Sequence, residues 1–251
     1  MEMLIYAILS VNKEHEKLRS LLSGMKGILD MEIYAISFAD IGVVVSEVKK
    51  SSLITDKKNA IEYAGVIEAL SQHFTVLPVR FGSILESEDN LRKMLESNYT
   101  EIQSNLQKVE HKYEYGLKVF CDSEKIVAEL ISKSENAVNI NENSASIPTQ
   151  SIYRDWMNKK LKEHRIEESL LGYVDTVIAL FTEDLVRLNA VNKIRKMISA
   201  TLIIDAVFLL EKVHKDALVR IVSDLQNQHP NLNFVLTGPW PPYNFVEISI
   251  K

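Results

Sequence analysis

Ile33-Tyr34-Ala35-Ile36-Ser37-Phe38-Ala39-Asp40-Ile41-Gly42-Val43-Val44-Val45-Ser46-Glu47-Val48 reads as two strands joined by a tight turn. β-branched and aromatic residues crowd both halves, which suits a pleated, half-buried surface. The short Ala39-Asp40 connection predicts a hairpin. Helical spacing lies on either side of it. Upstream, Leu4 to Leu9 is a short apolar run, read as a strand. Leu18, Leu21, Leu22 and Met25 follow at i, i+3, i+4 and i+7, one face of a helix that Gly24 and Gly27 stop. Downstream, Tyr63, Val66, Ile67 and Leu70 repeat that spacing. Phe74 to Leu77 reads as a strand whose pairing Pro78 limits. Ser87 is placed to cap a third helix, with Glu88 and Asp89 at its positive end. That helix carries Leu91, Leu95, Tyr99, Ile102, Leu106 and Val109, a heptad-like seam for one long neighbour or a sheet face. Strands and helices in this order predict an α+β domain over residues 1–112.

A second α+β domain, 113–251, is expected to open near Tyr113. Tyr115 to Cys121 reads as a strand, and Asp122 or Ser123 caps a helix with Ile126, Val127, Leu130 and Ile131. Residues 132–150 are rich in Ser, Asn and Glu and read as a long mobile surface loop. Residues 151–189 read as a helical arm with two stripes, Tyr153, Trp156, Met157 and Leu161, then Leu170, Val174, Val177, Phe181, Leu185 and Leu188. Unbroken, the arm spans about 60 Å. Gly172 is a point where it could bend, and a helical hairpin is the competing reading. Met197 to Leu210 reads as a buried strand. Val213, Ala217, Ile221 and Leu225, with Leu218 and Val222, mark the last helix. Leu232 to Thr237 and the alternation Val246, Ile248, Ile250 predict two closing strands. The pattern is a ferredoxin-like split βαβ with an inserted helical arm.

With 251 residues, 46% of them hydrophobic and 25% charged, the chain has ample apolar material for packed cores. A formal net charge of −5 argues against nucleic-acid binding, which clustered Lys and Arg drive. The densest basic stretch, Lys159, Lys160, Lys162 and Arg165, is interrupted by Glu163, Glu167 and Glu168 and reads as a solvated helix face. Cys121 is the single cysteine, so no intramolecular disulfide or thiolate cluster forms, which fits a reducing compartment. The N-terminus lacks the basic start of a signal peptide, and no apolar stretch reaches the length of a membrane span. A cytoplasmic protein without a membrane role is expected.

No catalytic or cofactor set stands out. The six histidines show no i, i+4 pair and no HExxH. Phosphate-binding glycine loops and GxSxG are absent from the sequence. Cys121, at a strand end, reads as a buried structural thiol. Arg80, in the apolar segment Leu77-Pro78-Val79-Arg80-Phe81-Gly82, is read as a structural ion pair fixing a turn, or else as an anion or partner contact.

Gly238-Pro239-Trp240-Pro241-Pro242-Tyr243 holds three of the six prolines and one of the two tryptophans. Proline fixes φ and pushes the preceding residue to extended backbone. A stiff connection between the last two strands results, carrying Trp240 and Tyr243. Such rings are either interface anchors that lose little entropy on binding or pins folded back on the core.

Leu236-Thr237-Gly238-Pro239-Trp240-Pro241-Pro242-Tyr243-Asn244-Phe245-Val246 resembles the C-terminal signature of the gas vesicle protein F/L family. Thr75-Val76-Leu77-Pro78-Val79-Arg80-Phe81-Gly82 resembles its N-terminal signature, and Tyr113-Glu114-Tyr115-Gly116-Leu117-Lys118-Val119 fits the opening of its second domain. The order and spacing agree over essentially the whole chain. One stretch departs. Where the family has a Gly-Tyr-Leu-type segment before basic residues, Ser151-Ile152-Tyr153-Arg154-Asp155-Trp156-Met157-Asn158-Lys159-Lys160 keeps the basic run but not the aromatic spacing. The resemblance implies a non-enzymatic gas vesicle accessory or minor structural protein without a cofactor. Its implied partners are the hydrophobic shell subunit and other accessory proteins. Trp240, Pro241, Pro242, Tyr243, Arg80 and Phe81 are the candidate partner-binding residues. A ferredoxin-like small-molecule module or enzyme built around Arg80 is the alternative, and DNA binding through the arm a weaker third.

Overall fold

A computed structural model describes residues 2–12, 14–49, 56–121, 168, 171–196, 199 and 201–246. The helix expected after Cys121, the 132–150 loop, the start of the arm and the last strand's Ile248 and Ile250 lie outside them. The chain forms two compact units. Met1–Tyr115 together with Gly238–Lys251 make the first, and Gly116–Thr237 the second.

In the first unit β1 (Met3–Ser10), β2 (Ile33–Phe38), β3 (Ile41–Glu47) and β4 (Thr75–Pro78) form a sheet in the order β2-β3-β1-β4, with β5 (Ile84–Leu85) also paired to β1. All these pairings are antiparallel. The predicted hairpin is present, with Phe38 opposite Ile41 and Ala39 in the left-handed region at the turn. Leu4 to Leu9 is fully buried, as a central strand covered on both faces requires.

Helices α1 (His15–Leu22) and α2 (Lys57–Ser71) cover one face. Tyr63, Val66, Ile67 and Leu70 are all buried there against Leu4, Tyr6 and Leu9. Asp56 caps α2 by accepting from Asn59 N–H at 2.8 Å, a contribution of about 1 kcal/mol. α3 (Glu88–Val109) packs on β1, β4 and β5 with Leu91, Leu95, Ile102, Leu106 and Val109 buried. Tyr99 on the same seam is only half-buried. Ser87 caps α3 as expected, accepting from Asn90 N–H at 3.2 Å.

Tyr99 is drawn toward the hairpin turn instead of the core. Its hydroxyl donates to Asp40 Oδ1 at 2.6 Å, and Gln103 donates to the same oxygen at 2.7 Å. The Tyr99 hydrogen bond holds the Asp40 carboxyl below the usual carboxylate range, with burial opposing it. The folded-state pKa is depressed, so this stability is present above the unfolded value and is lost as pH falls through the folded one. Tyr99→Phe is therefore expected to lower the melting temperature slightly at pH 7. The gap to the unsubstituted protein should close below pH ~3. A pH-independent gap in thermal melts would show that Tyr99 acts by packing alone.

The second unit holds β6 (Lys112–Cys121, shared at its start with the first unit), α4 (residues 171–187), β7 (Val191–Lys196), β8 (Leu202–Glu211), α5 (Lys215–Gln228) and β9 (Leu232–Trp240, shared at its end with the first unit). The sheet order is β7-β8-β6-β9, with the first and third strands side by side in the middle. Val174, Val177, Phe181 and Leu185 of α4 are buried as their spacing predicts, and Phe181 meets Phe208 of β8 edge-on at 5.6 Å. Gly172 is the second residue of the described part of α4. Cys121 is buried.

Four details differ from the sequence reading. The strand expected from Met197 begins only at Leu202, with Ser199 and Thr201 outside it. β7 was not anticipated. Val213 is exposed on a short 3-10 turn before α5, whose buried residues are Leu218, Val222 and Leu225. β9 runs on through Gly238-Pro239-Trp240. As an edge strand it tolerates a residue with no N–H to donate.

Candidate functional site

The C-terminal motif closes on the first unit. Gly238 sits at φ +109, and a Cβ there would stand 2.8 Å from the Glu114 carbonyl oxygen, so only glycine fits. The Gly238–Pro239 peptide bond is cis. Pro241 and Pro242 are buried. Beyond them the chain turns tightly, with Tyr243 N–H donating to the Pro241 carbonyl at 2.7 Å and Phe245 N–H to that of Pro242 at 3.2 Å.

Three groups hold this turn in place. Glu114 is only 3% exposed, and its two carboxylate oxygens accept from Asn244 N–H at 2.7 Å and from Asn244 Nδ2 at 2.5 Å. Lys108 Nζ donates to the Phe245 carbonyl at 3.1 Å. The Phe245 ring is buried. Hydrogen bonds to a charged acceptor are among the stronger ones, and a buried carboxylate needs them.

On this frame Trp240 is 39% exposed and Tyr243 41% exposed, so neither ring is folded fully into the core. The Tyr243 hydroxyl is nonetheless pushed up to about 12, first by burial and then by the charges of Glu68 and Glu114. Part of the residue still meets solvent.

The N-terminal motif is built on a bulge. Pairing of β1 with β3 slips between Ile5 and Ala7, which re-aims Tyr6. Ile28 N–H donates to the Tyr6 hydroxyl at 3.1 Å, and Ser46 Oγ lies 3.2 Å from it. Val79 N–H donates to the Tyr6 carbonyl at 3.0 Å. The Tyr63 hydroxyl reaches the carbonyls of Ile5 at 2.6 Å and Val79 at 2.8 Å and shares its single proton between them. Phe81 is half-buried with its ring 4.9 Å from that of Tyr63. Burial, then Tyr6 and then Tyr243, raise the Tyr63 hydroxyl far above its ordinary value. The N-terminal motif thus packs around Tyr63.

Arg80 departs from its expected ion pair. It is exposed and makes no ion pair among the described residues. The turn is held instead by Ser83 N–H on the Arg80 carbonyl at 3.1 Å and by Gly82 at φ +87. Val79 is buried and Arg80 exposed, just beyond the end of β4.

Sequence reasoning missed Glu114, Asn244 and Lys108. The available signal was an acidic residue, Glu114, inside a strand pattern of aromatic and aliphatic residues. Among the described residues, no group of three or more His, Cys, Asp or Glu side chains could hold a metal ion, and no helix is long and apolar enough to cross a membrane.

Residues 2–247 match the family described as gas vesicle synthesis protein GvpL/GvpF. The chain is 22% identical over 240 residues to gas vesicle protein F1 of Halobacterium salinarum, covering 94% of this chain and 91% of that protein. It is 23% identical over 191 residues to gas vesicle protein L of a Streptomyces species, covering 73% and 67%. In fold it is similar to the crystal structure of gas vesicle protein GvpF from an Anabaena species, with a TM-score of 0.81, 20% identity and 99% of both chains covered. It is also similar to that of GvpF from Microcystis aeruginosa, with a TM-score of 0.74, 16% identity and 98% and 99% covered.

Proposed function

The chain belongs to the gas vesicle synthesis protein GvpL/GvpF family, and from that premise we propose that it supports assembly of the gas vesicle shell by binding. It takes part in gas vesicle formation and acts at the vesicle. Its partner is the hydrophobic shell subunit or another accessory protein, which it holds until the shell takes it up. The work is association and not catalysis.

The observation that supports this reading is the pair of half-exposed rings, Trp240 and Tyr243, on a segment clamped by Glu114, Lys108 and Phe245. Rigid aromatics lose little conformational freedom on binding and make strong anchors. Arg80 and Phe81 are the second contact of the same reading, with Arg80 as an exposed cation.

Trp240→Ala combined with Tyr243→Ala is expected to weaken shell-subunit binding by about tenfold or more. Folding should be little affected, because both residues are exposed on the surface. The test is complementation of a host whose own copy is deleted, with co-purification of the shell subunit alongside. Loss of vesicles on deletion and poor rescue by the double variant are expected. Co-purification at undiminished yield would sink the assignment to these rings, and an unfolded double variant would return them to core packing.

A further inference from the structure

β2 is an edge strand of the first unit's sheet, and its pairing fixes where its backbone groups point. Its register with β3 runs unbroken from Ile33 opposite Ser46 to Phe38 opposite Ile41. Only Ala39 and Asp40 join that last pair, so Phe38, Ile36 and Tyr34 turn their N–H and C=O groups to β3. Ala35 and Ser37 turn theirs the other way. No further strand of the sheet lies there. Among the described residues neither makes a backbone hydrogen bond on that side. The chain itself lines the start of the edge, where Lys26 pairs with Glu32. The N–H and C=O groups of Ala35 and Ser37 therefore stand in an open row at strand spacing, about 3.4 Å per residue.

Folded proteins blunt a free edge with charge, proline or a bulge. β7, an edge of the other sheet, carries Lys193, Arg195 and Lys196. β2 has none of these devices, since Ile33-Tyr34-Ala35-Ile36-Ser37-Phe38 holds no charge and no proline and its register has no slip.

Helix α1 decides what can pair there. It packs on β2, and His15 at its first position lies over the edge itself, with Nδ1 3.2 Å from Ser37 Oγ. Packed helices need about 8–10 Å between axes, while neighbouring strands stand only about 5 Å apart. Two copies joined antiparallel at β2 would place both α1 helices on one face above adjacent strands, too close to fit. A bare strand brings no such helix. The faces it would meet differ in character. Tyr34, Ile36 and Phe38 share one, where the Phe38 ring meets that of Tyr99 at 6.0 Å. Ser37 and His15 make the other polar.

We propose that the outer edge of β2 accepts an extended segment of a protein partner as an added strand. The segment pairs with Ala35 and Ser37 and is uncharged over about five residues. It alternates apolar side chains beside Tyr34 and Phe38 with polar ones beside Ser37. This surface is separate from Trp240 and Tyr243 and does not depend on the function proposed above.

The test titrates the full chain with a labelled peptide of about eight residues, alternating valine and threonine between lysine ends. A twin N-methylated throughout its centre offers no donor from either edge. Fluorescence anisotropy is expected to show the twin binding about tenfold more weakly or worse. In hydrogen exchange read by NMR, saturating peptide should protect the Ala35 and Ser37 amides. Those of Tyr34, Ile36 and Phe38, already turned to β3, should stay as they are. Ser37→Pro removes an outward N–H and no bond to β3, which an edge strand tolerates, and should weaken the peptide about tenfold. Ser37→Ala, which removes only the hydroxyl contact with His15, should change affinity less than about twofold. Trp240→Ala with Tyr243→Ala should leave peptide binding unchanged, so either reading can fail and leave the other standing. No binding, equal affinity of peptide and twin, or unprotected Ala35 and Ser37 amides at saturation overturns the proposal, and these readouts decide it even where Ser37→Pro does not fold. So does a chain that sediments as a dimer with those two amides already protected, since β2 then joins a second copy.

Discussion

Phe245→Ala is expected to destabilise the protein by about 3–5 kcal/mol, the usual range for emptying a fully buried phenylalanine site. The ring is among the largest fully buried side chains. Its backbone is fixed on both sides, since its N–H donates to Pro242 and its carbonyl accepts from Lys108. The buried Pro241 and Pro242 beside it have little freedom to move into the space. The cavity should persist, which puts the loss toward the upper part of that range. Thermal melts should show a fall on the order of 10 °C. Phe245→Leu, which keeps most of the volume, should lose under half as much. A loss below about 1 kcal/mol for the alanine variant would mean that the ring does not anchor the segment.

The elements most legible in the sequence are those whose periodicity is set by burial. Tyr63, Val66, Ile67 and Leu70 are all inside because α2 covers the sheet with one face. The Ser87 cap and the α3 seam were readable for the same reason, except that Tyr99 is diverted by Asp40. β7 was not readable because it is an edge strand, with Lys193, Arg195 and Lys196 where a central strand carries valine. Two of these charges are paired with neighbours in space. Arg195 pairs with Asp205, and Lys196 with Asp175 at 2.7 Å. The two-residue β5 is too short to carry a period.

The candidate site was half legible. Its rigid, aromatic character follows from residue types alone, because proline fixes its own backbone wherever it sits. The segment's attachment does not. Glu114 and Asn244 lie 130 positions apart, and no local pattern links a carboxylate to an amide at that separation. Arg80 shows the opposite error. Its apolar flanks suggested burial, but the strand ends at Pro78 and Arg80 lies exposed where the following turn begins. Burial inferred from neighbouring residue types fails where the chain leaves the sheet for a turn.

Glu114→Ala should cost about 2–4 kcal/mol, because it removes a buried charged acceptor shared by the Asn244 backbone and side chain. Glu114→Gln keeps the shape but turns one acceptor into a donor facing a donor, so roughly half of that loss is expected. Asn244→Ala deletes only the side-chain bond. Combined with Glu114→Ala it should add little, as for any two partners of one interaction. Hydrogen exchange gives the direct readout, with the Asn244 amide losing protection in Glu114→Ala while the β1 amides, away from the clamp, keep theirs. An unchanged Asn244 amide, or fully additive losses, would overturn the clamp. The clamp also separates frame from contact. Glu114→Ala should weaken partner binding by loosening the segment between Trp240 and Phe245, so stability and affinity fall together. Trp240→Ala with Tyr243→Ala should lower affinity and leave stability nearly in place. If the two variants lose affinity in the same proportion to stability, the rings act only through packing. If they diverge, the clamp acts by holding two anchoring rings rigid before the partner arrives.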